Sequence, residues 1–231
     1  METATDALTT KVQAEKLGYF SDEFVKLFAR SEKRMFPIIN RGTWARVYAV
    51  RQILTRFLAQ YEGSTKVNIL SLGAGYDSSY FWLKRAHPDI DSKLDYIEID
   101  FSHVVKRKAT IIKDKAVLRE LIAFRATPRS ATLAAHDIEA DGYKLFESDV
   151  RDGAIIMEKL RSMGVQPELP TLVLTECLLI YMRSDETRAV LDWTMDYFGR
   201  EGHIAFLNYE MINPDDQFGR MMLENLEQRG C

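Results

Sequence analysis

The sequence predicts an α/β fold: an open, doubly wound, mostly parallel sheet behind a set of N-terminal helices. Three observations predict it: compact apolar runs rich in branched residues, helix-like segments alternating with them, and a glycine turn directly after the first run. The first run, Val67–Leu72, is continuously apolar apart from Asn68 and Ser71 and is closed by Gly73-Ala74-Gly75, the pattern of a strand covered on both faces. Four more runs follow at Leu94–Ile99, Tyr143–Ser148, Thr171–Thr175 and His203–Tyr209, so five strands are counted. Helix-like stretches near 101–113, 151–163, 184–199 and 214–229 separate or follow them. Strands joined through helices make a parallel sheet with right-handed crossovers.

Ahead of the sheet, residues 12–34 read as one helix with apolar positions at Phe24, Leu27 and Phe28, stopped by Pro37. A second helix over Thr43–Gln60 puts Val47, Val50, Ile53, Leu54 and Phe57 on one face and ends at Glu62-Gly63-Ser64. The stretch 114–142 reads as a helix plus irregular insertion, because Thr127-Pro128 breaks the pattern and Glu139-Ala140-Asp141-Gly142 has loop chemistry. The expectation is a single domain over 1–231, with helices over 1–62 and the sheet core over 63–231.

Composition narrows the function. Lys and Arg number 31 against 34 Asp and Glu, a net charge of −3 without a basic block, so no nucleic-acid partner is expected. Two cysteines, Cys177 and Cys231, cannot build a disulfide framework, and no apolar run approaches the roughly 20 residues of a membrane span. The polar start METATDALTT lacks the basic-then-apolar order of a secretory signal. A cytoplasmic address with no membrane association is therefore expected. His87, His103, His136 and His203 show no metal-ligand spacing, and no metal is expected.

In an open sheet of this kind ligands bind beyond the carboxyl ends of the strands, where strand order reverses. After the first strand comes Gly73-Ala74-Gly75-Tyr76-Asp77, where glycines allow a tight turn and close backbone approach, or simply an ordinary strand-to-helix turn. Ser78 stands where a dinucleotide fingerprint needs its third glycine, so a ligand without a pyrophosphate fits better. The second strand ends in Asp100, 27 residues beyond Gly73 and near the spacing of a ribose-binding acid. Asp100 also suits the N-cap of the next helix. The third run leads into Asp149-Val150, a carboxylate for an adenine amino group and an apolar cover for its ring. The fourth leads into Glu176, again an acid at the same rim. Singly, Asp149 and Glu176 read more readily as surface carboxylates than as ligands. Together, three carboxylates in one crevice call for a cationic ligand, and S-adenosyl-L-methionine carries both an ammonium and a sulfonium.

Three segments resemble the leucine carboxyl methyltransferases: Asn40-Arg41-Gly42-Thr43-Trp44-Ala45-Arg46, Asn68 through Asp77, and Leu174-Thr175-Glu176-Cys177-Leu178-Leu179-Ile180-Tyr181-Met182. Phe206 through Glu210 and Asp216 through Leu226 are similar as well. The resemblance implies a Rossmann-like methyltransferase fold, S-adenosyl-L-methionine as cofactor, and as acceptor the C-terminal leucine α-carboxylate of the type 2A protein phosphatase catalytic subunit. It implies that Lys11 and Arg46 hold the methionine carboxylate, Gly73 lines the methionine moiety, Asp100 takes the ribose, Asp149 and Val150 take adenine, and Glu176 faces the ammonium. Arg46 would also orient the acceptor, with Tyr181 as a wall of the transfer site. Without the resemblance, Arg46 reads as a solvated helix residue and Arg41 as a structural ion pair. Members of this family continue beyond the end of this sequence, so their final antiparallel hairpin is expected to be missing and the outer edge of His203–Tyr209 open. A monomer is expected. Rival readings are a related carboxyl methyltransferase acting on a modified transfer-RNA base, and a non-catalytic form that binds only cofactor or a partner.

Overall fold

In a computed structural model of the chain, residues 2–30, 33–61, 66–125, 133–200 and 202–228 are described. The sheet is built from β1 (Val67–Leu72), β2 (Leu94–Asp100), β3 (Ala123–Phe124), β4 (Ile138–Asp141), β5 (Tyr143–Glu147), β6 (Thr171–Glu176) and β7 (Ile204–Tyr209). Their order is β3-β4-β5-β2-β1-β6-β7. The five parallel strands are those expected, each within a residue or two of its expected bounds. β1 lies between β2 and β6, with Leu72 level with Ile99 on one side and with Thr175 on the other. The order therefore reverses at β1 and β6, and their carboxyl ends open into one crevice. Among the described residues β7 pairs only with β6, so it forms one edge of the sheet.

The nine helices of the described residues are α1 (Glu2–Lys16), α2 (Val25–Phe28), α3 (Pro37–Gln60), α4 (Ser79–Ala86), α5 (Ser102–Asp114), α6 (Ala116–Arg119), α7 (Gly153–Ser162), α8 (Ser184–Phe198) and α9 (Gln217–Gln228). The pleat sorts the core into two layers. Val67, Ile69, Leu94 and Tyr96 face one side, where Leu8 and Val12 of α1, Phe28 of α2, Leu54 of α3, Phe81 of α4 and Val105 of α5 cover them. Leu70, Leu72, Ile97 and Ile99 face the other, against Ile156 and Leu160 of α7 and Trp193 and Phe198 of α8. Every residue of β1 and β2 is buried, which is why both were readable as continuous apolar runs.

Four expectations are corrected. The single helix over 12–34 is two helices, because Gly18 adopts a left-handed φ of +76° just beyond α1, and a loop follows before α2. Pro37 opens α3 as its first helical residue instead of stopping the helix before it. The buried stripe of α3 is Asn40, Thr43, Val47, Val50, Leu54 and Phe57, while Ile53 is exposed. The stretch 114–142 is not irregular throughout: α6, β3 and β4 lie in it, and β4 runs antiparallel to β5 through the turn at Gly142. Gly142 sits at φ +76° and a Cβ there would lie 2.6 Å from the Asp91 backbone, so the turn needs glycine. The breaks expected at Glu62-Gly63-Ser64 and Thr127-Pro128 lie outside the described residues. Among the described residues no helix is long and apolar enough to cross a membrane.

Candidate functional site

The chain leaves β1 through two left-handed glycines, Gly73 at φ +63° and Gly75 at φ +53°. Backbone donors on this loop are tied to the end of β2: Gly73 and Ala74 donate to the Ile99 carbonyl at 2.9 and 3.2 Å, and Gly75 donates to Asp100 Oδ2 at 2.7 Å. The loop delivers Asp77 to the crevice, while β6 delivers Glu176. Two helices that precede the sheet supply the cations. Lys11 of α1 donates to Asp77 Oδ1 at 2.9 Å and lies 3.2 Å from Glu176 Oε1, and Arg46 of α3 donates through Nε to Glu176 Oε1. The result is a row of alternating charge: Asp77, Lys11, Glu176, Arg46. Their side chains keep only 10 to 19% of their surface.

Burial and pairing pull against each other here. Burial disfavours the Lys11 ammonium, yet Asp77 and Glu176 outweigh it and raise its pKa. Burial likewise opposes the Arg46 charge, and Glu176 together with the neighbouring Cys177 raises it instead. Burial would push Asp77 up, but Lys11 and Lys108 hold its carboxyl well below the usual range. All three stay charged at neutral pH. A cavity of about 10 Å³ remains among Lys11, Val47, Val50, Asp77, Ser78 and Glu176. That is room for about one water, so charged groups of a ligand would exchange with these ion pairs instead of adding to them.

The remaining expected residues sit in different environments. Gly73 faces Leu178, whose Cδ1 would lie 2.7 Å from any Cβ added at the glycine. Asp100 is nearly buried and accepts from the Gly75 and Phe101 N–H groups at 2.7 Å each. It does not cap α5, whose N-cap is Phe101. Burial raises its pKa against those two hydrogen bonds. Asp149 is gripped by Arg151, with Nε 2.9 Å from Oδ1 and Nη2 2.5 Å from Oδ2, and Arg151 Nη1 reaches Glu186 of α8 at 2.8 Å. Hydrogen bonding from Arg151 holds the Asp149 pKa down. Val150 is buried in the core and its carbonyl accepts from Trp193 Nε1 at 2.9 Å. Tyr181, in a short 3₁₀ turn after β6, is 42% exposed at the rim. Arg41 is exposed on α3.

Two features escaped the sequence reading. Asp77 was visible only as part of the glycine turn, and its role appears once Lys11 is seen folded onto it. Cys177 adopts φ +53°, an unusual conformation for a residue with a side chain, directly after Glu176. The resulting turn lets the Leu178 and Leu179 N–H groups donate to Glu210 Oε1 at 3.0 and 2.8 Å, which fixes the exit of β6 beside the end of β7. Arg46 also lies 5.9 Å from the centroid of the Tyr209 ring. Among the described residues no group of His, Cys, Asp or Glu side chains is placed to hold a metal ion.

The leucine carboxyl methyltransferase family matches residues 1–195. The leucine carboxyl methyltransferase 1 homolog of Arabidopsis thaliana is 37% identical over 99% of this chain and 66% of its own length. Leucine carboxyl methyltransferase 1 of Rattus norvegicus is 35% identical, and that of Bos taurus 36%, each over 99% of this chain and 67% of its own. The chain thus spans about two thirds of the length of these relatives. Among solved structures, that of the plantazolicin methyltransferase BpumL covers 98% of this chain and 65% of its own at a TM-score of 0.43 and 12% identity, a likeness too weak to bear on function. With a doubly wound sheet, an acidic and cationic crevice at its switch point and a family match over most of its length, the chain belongs to the leucine carboxyl methyltransferase family.

Proposed function

We propose that the chain is an S-adenosyl-L-methionine-dependent carboxyl O-methyltransferase acting on the C-terminal leucine α-carboxylate of the type 2A protein phosphatase catalytic subunit. The observation that carries the reading is the alternating row Asp77, Lys11, Glu176, Arg46 at the carboxyl ends of β1 and β6. An amino-acid zwitterion has one carboxylate and one ammonium a few bonds apart. Two interleaved cations and anions let each end of it replace an existing partner while the row stays neutral, so no charge is left buried alone. Lys11 and Arg46 would take the methionine carboxylate, Glu176 and Asp77 the ammonium, Gly73 the methionine chain, Asp100 the ribose hydroxyls, and Asp149 with Val150 the adenine end.

Bound there, the cofactor supplies an electrophilic methyl group on a sulfonium. The chain's own part is positioning. An α-carboxylate, with a pKa of roughly 3.5, is already ionised at neutral pH, so no side chain has to act as a base. Arg46 keeps its charge under burial and offers a planar fork that matches a carboxylate, which suits it to orient an acceptor oxygen. Tyr181 would close the rim and exclude water from the underhydrated nucleophile. The acceptor's identity is supported by the names of the relatives and by the motif resemblance. The reading takes the protein as a monomer of the cytoplasm.

The experiment is transfer of a labelled methyl group from S-adenosyl-L-methionine to the phosphatase catalytic subunit, with mass spectrometry of its C-terminus. A base-labile ester on the terminal leucine is expected. Label on another residue, or equal transfer to a subunit whose terminus is amidated, would overturn the reading.

A further inference from the structure

Beneath the cofactor loop lies a charge that the transfer chemistry does not use. Lys108 of α5 has a side chain with 0% exposure, and its ammonium meets three partners. It lies 2.6 Å from Glu98 Oε2, donates to the Asp77 backbone carbonyl at 2.8 Å, and sits 5.7 Å from the centroid of the Phe28 ring. Glu98 on β2 is equally buried, and its Oε2 also accepts from the Tyr143 hydroxyl at 2.7 Å. Its Oε1 has no hydrogen-bond partner among the described residues.

Such a pair is a poor device for stability, because desolvating two charges offsets much of their attraction, and apolar residues of the same shape serve packing as well. What an apolar residue cannot supply is a donor for the Asp77 carbonyl. That carbonyl closes a loop whose N–H groups are already tied to β2 but which contains two left-handed glycines and therefore little intrinsic stiffness. Asp77 is thus held from two sides, its carbonyl by Lys108 beneath and its carboxylate by Lys11 above. The row of alternating charge is longer than the crevice shows: Glu98, Lys108, Asp77, Lys11, Glu176, Arg46. It runs from the buried interior to the rim.

We propose that Lys108, held by Glu98, is a positioning residue for cofactor binding: its bond to the Asp77 carbonyl sets the glycine loop and, through Asp77, the place of Lys11. The inference rests on the cofactor reading above.

Two paired variants separate positioning from packing. K108M/E98Q leaves a neutral core without the donor, and K108Q/E98Q leaves a neutral core with an amide that can donate to the same carbonyl. S-adenosylhomocysteine is the probe, measured by titration calorimetry beside the thermal melt. The Met form is expected to melt near the wild type yet bind about tenfold more weakly or worse, with the Gln form recovering part of the loss. In steady-state methyl transfer the KM for S-adenosyl-L-methionine should rise while kcat at saturating cofactor changes little. If the Met variant does not fold, the charge-neutral K108Q/E98Q form is compared with the wild type directly and is expected to bind more weakly, because the shorter glutamine makes a poorer bond to the Asp77 carbonyl. Wild-type affinity in the folded variants, or equal loss in the Met and Gln forms, overturns the positioning role alone. Absence of probe binding by the wild-type protein would instead overturn the cofactor reading and this inference with it.

Discussion

Replacing Glu176 with glutamine removes the anion that contacts both Lys11 and Arg46. Lys11 keeps Asp77, but the Arg46 side chain, 19% exposed, is left facing a neutral amide and the ring of Tyr209. Breaking a buried ion pair by removing one partner costs roughly 3–5 kcal/mol. The residual exposure of the group and the remaining Lys11–Asp77 pair reduce this to about 2–4 kcal/mol, since partial hydration and a second counter-ion soften the loss. For a chain of 231 residues each kcal/mol moves the melting temperature by about 2–4 °C, so a drop of about 5–15 °C is expected by calorimetry. Adding Arg46→Met in the same chain removes the orphaned cation and should return at least half of the drop. The single variant should also bind S-adenosylhomocysteine about 10- to 100-fold more weakly, having lost a charged acceptor for its ammonium. A Glu176→Gln protein that melts within about 1 °C of the wild type would refute the claim that the row is electrostatically coupled.

Arg46→Lys keeps the net charge but loses the fork, so affinity for S-adenosylhomocysteine should fall about tenfold or more in titration calorimetry. Asp100 gives a pH signature. Its raised pKa means that the folded protein takes up its proton at a higher pH than the unfolded chain, so by itself it adds stability below the unfolded value and loses it as pH rises through the folded one. Cofactor binding runs the other way, because ribose hydroxyls need the ionised acceptor: affinity should be flat near neutrality and fall about tenfold per pH unit from a point above the ordinary aspartate range, and Asp100→Asn should bind weakly without that step. Gly73→Ala meets both a left-handed φ of +63° and Leu178 Cδ1 at 2.7 Å, and should cost about 1–3 kcal/mol in a denaturant melt. Leu178→Ala in the same chain should relieve the contact but not the backbone strain, so recovery would be partial.

Four of the five parallel strands, β1, β2, β5 and β6, were legible because they are buried along nearly their whole length and so lack alternation, leaving apolar runs that end at glycines or acids. The edge strand β7 was legible from its apolar composition, although little of it is buried. The antiparallel edge was not: Ala123 and Phe124 form a two-residue exposed strand, and Glu139 and Asp141 have the chemistry of a loop. β3 owes its strand character to pairing with β4, and β4 to pairing with β5, which no local pattern announces. In the site, Asp100 and Glu176 could be found from their positions after strands. Lys11 could not, since a lysine within a polar helix has no mark of function, and only resemblance to the family singled it out. Asp77 was hidden for the complementary reason, its partner lying 66 positions earlier in the chain. Arg151 shows a further limit: that Asp149 is already clasped by an arginine two residues on is a matter of rotamer and not of spacing.

The reach of Lys11 and Arg46 across the chain has a kinetic meaning. Their contacts with Glu176 close loops of 165 and 130 positions, among the most non-local that a chain of this length can make. Closing such loops loses chain entropy before any contact rewards it, so contacts of this kind tend to form after the local helices and adjacent strands are in place. The crevice is therefore a late product of folding. In a stopped-flow chevron, Glu176→Gln should act almost wholly on the unfolding limb, with a φ-value near 0, so that the site holds the finished protein together while contributing little to how quickly it gets there.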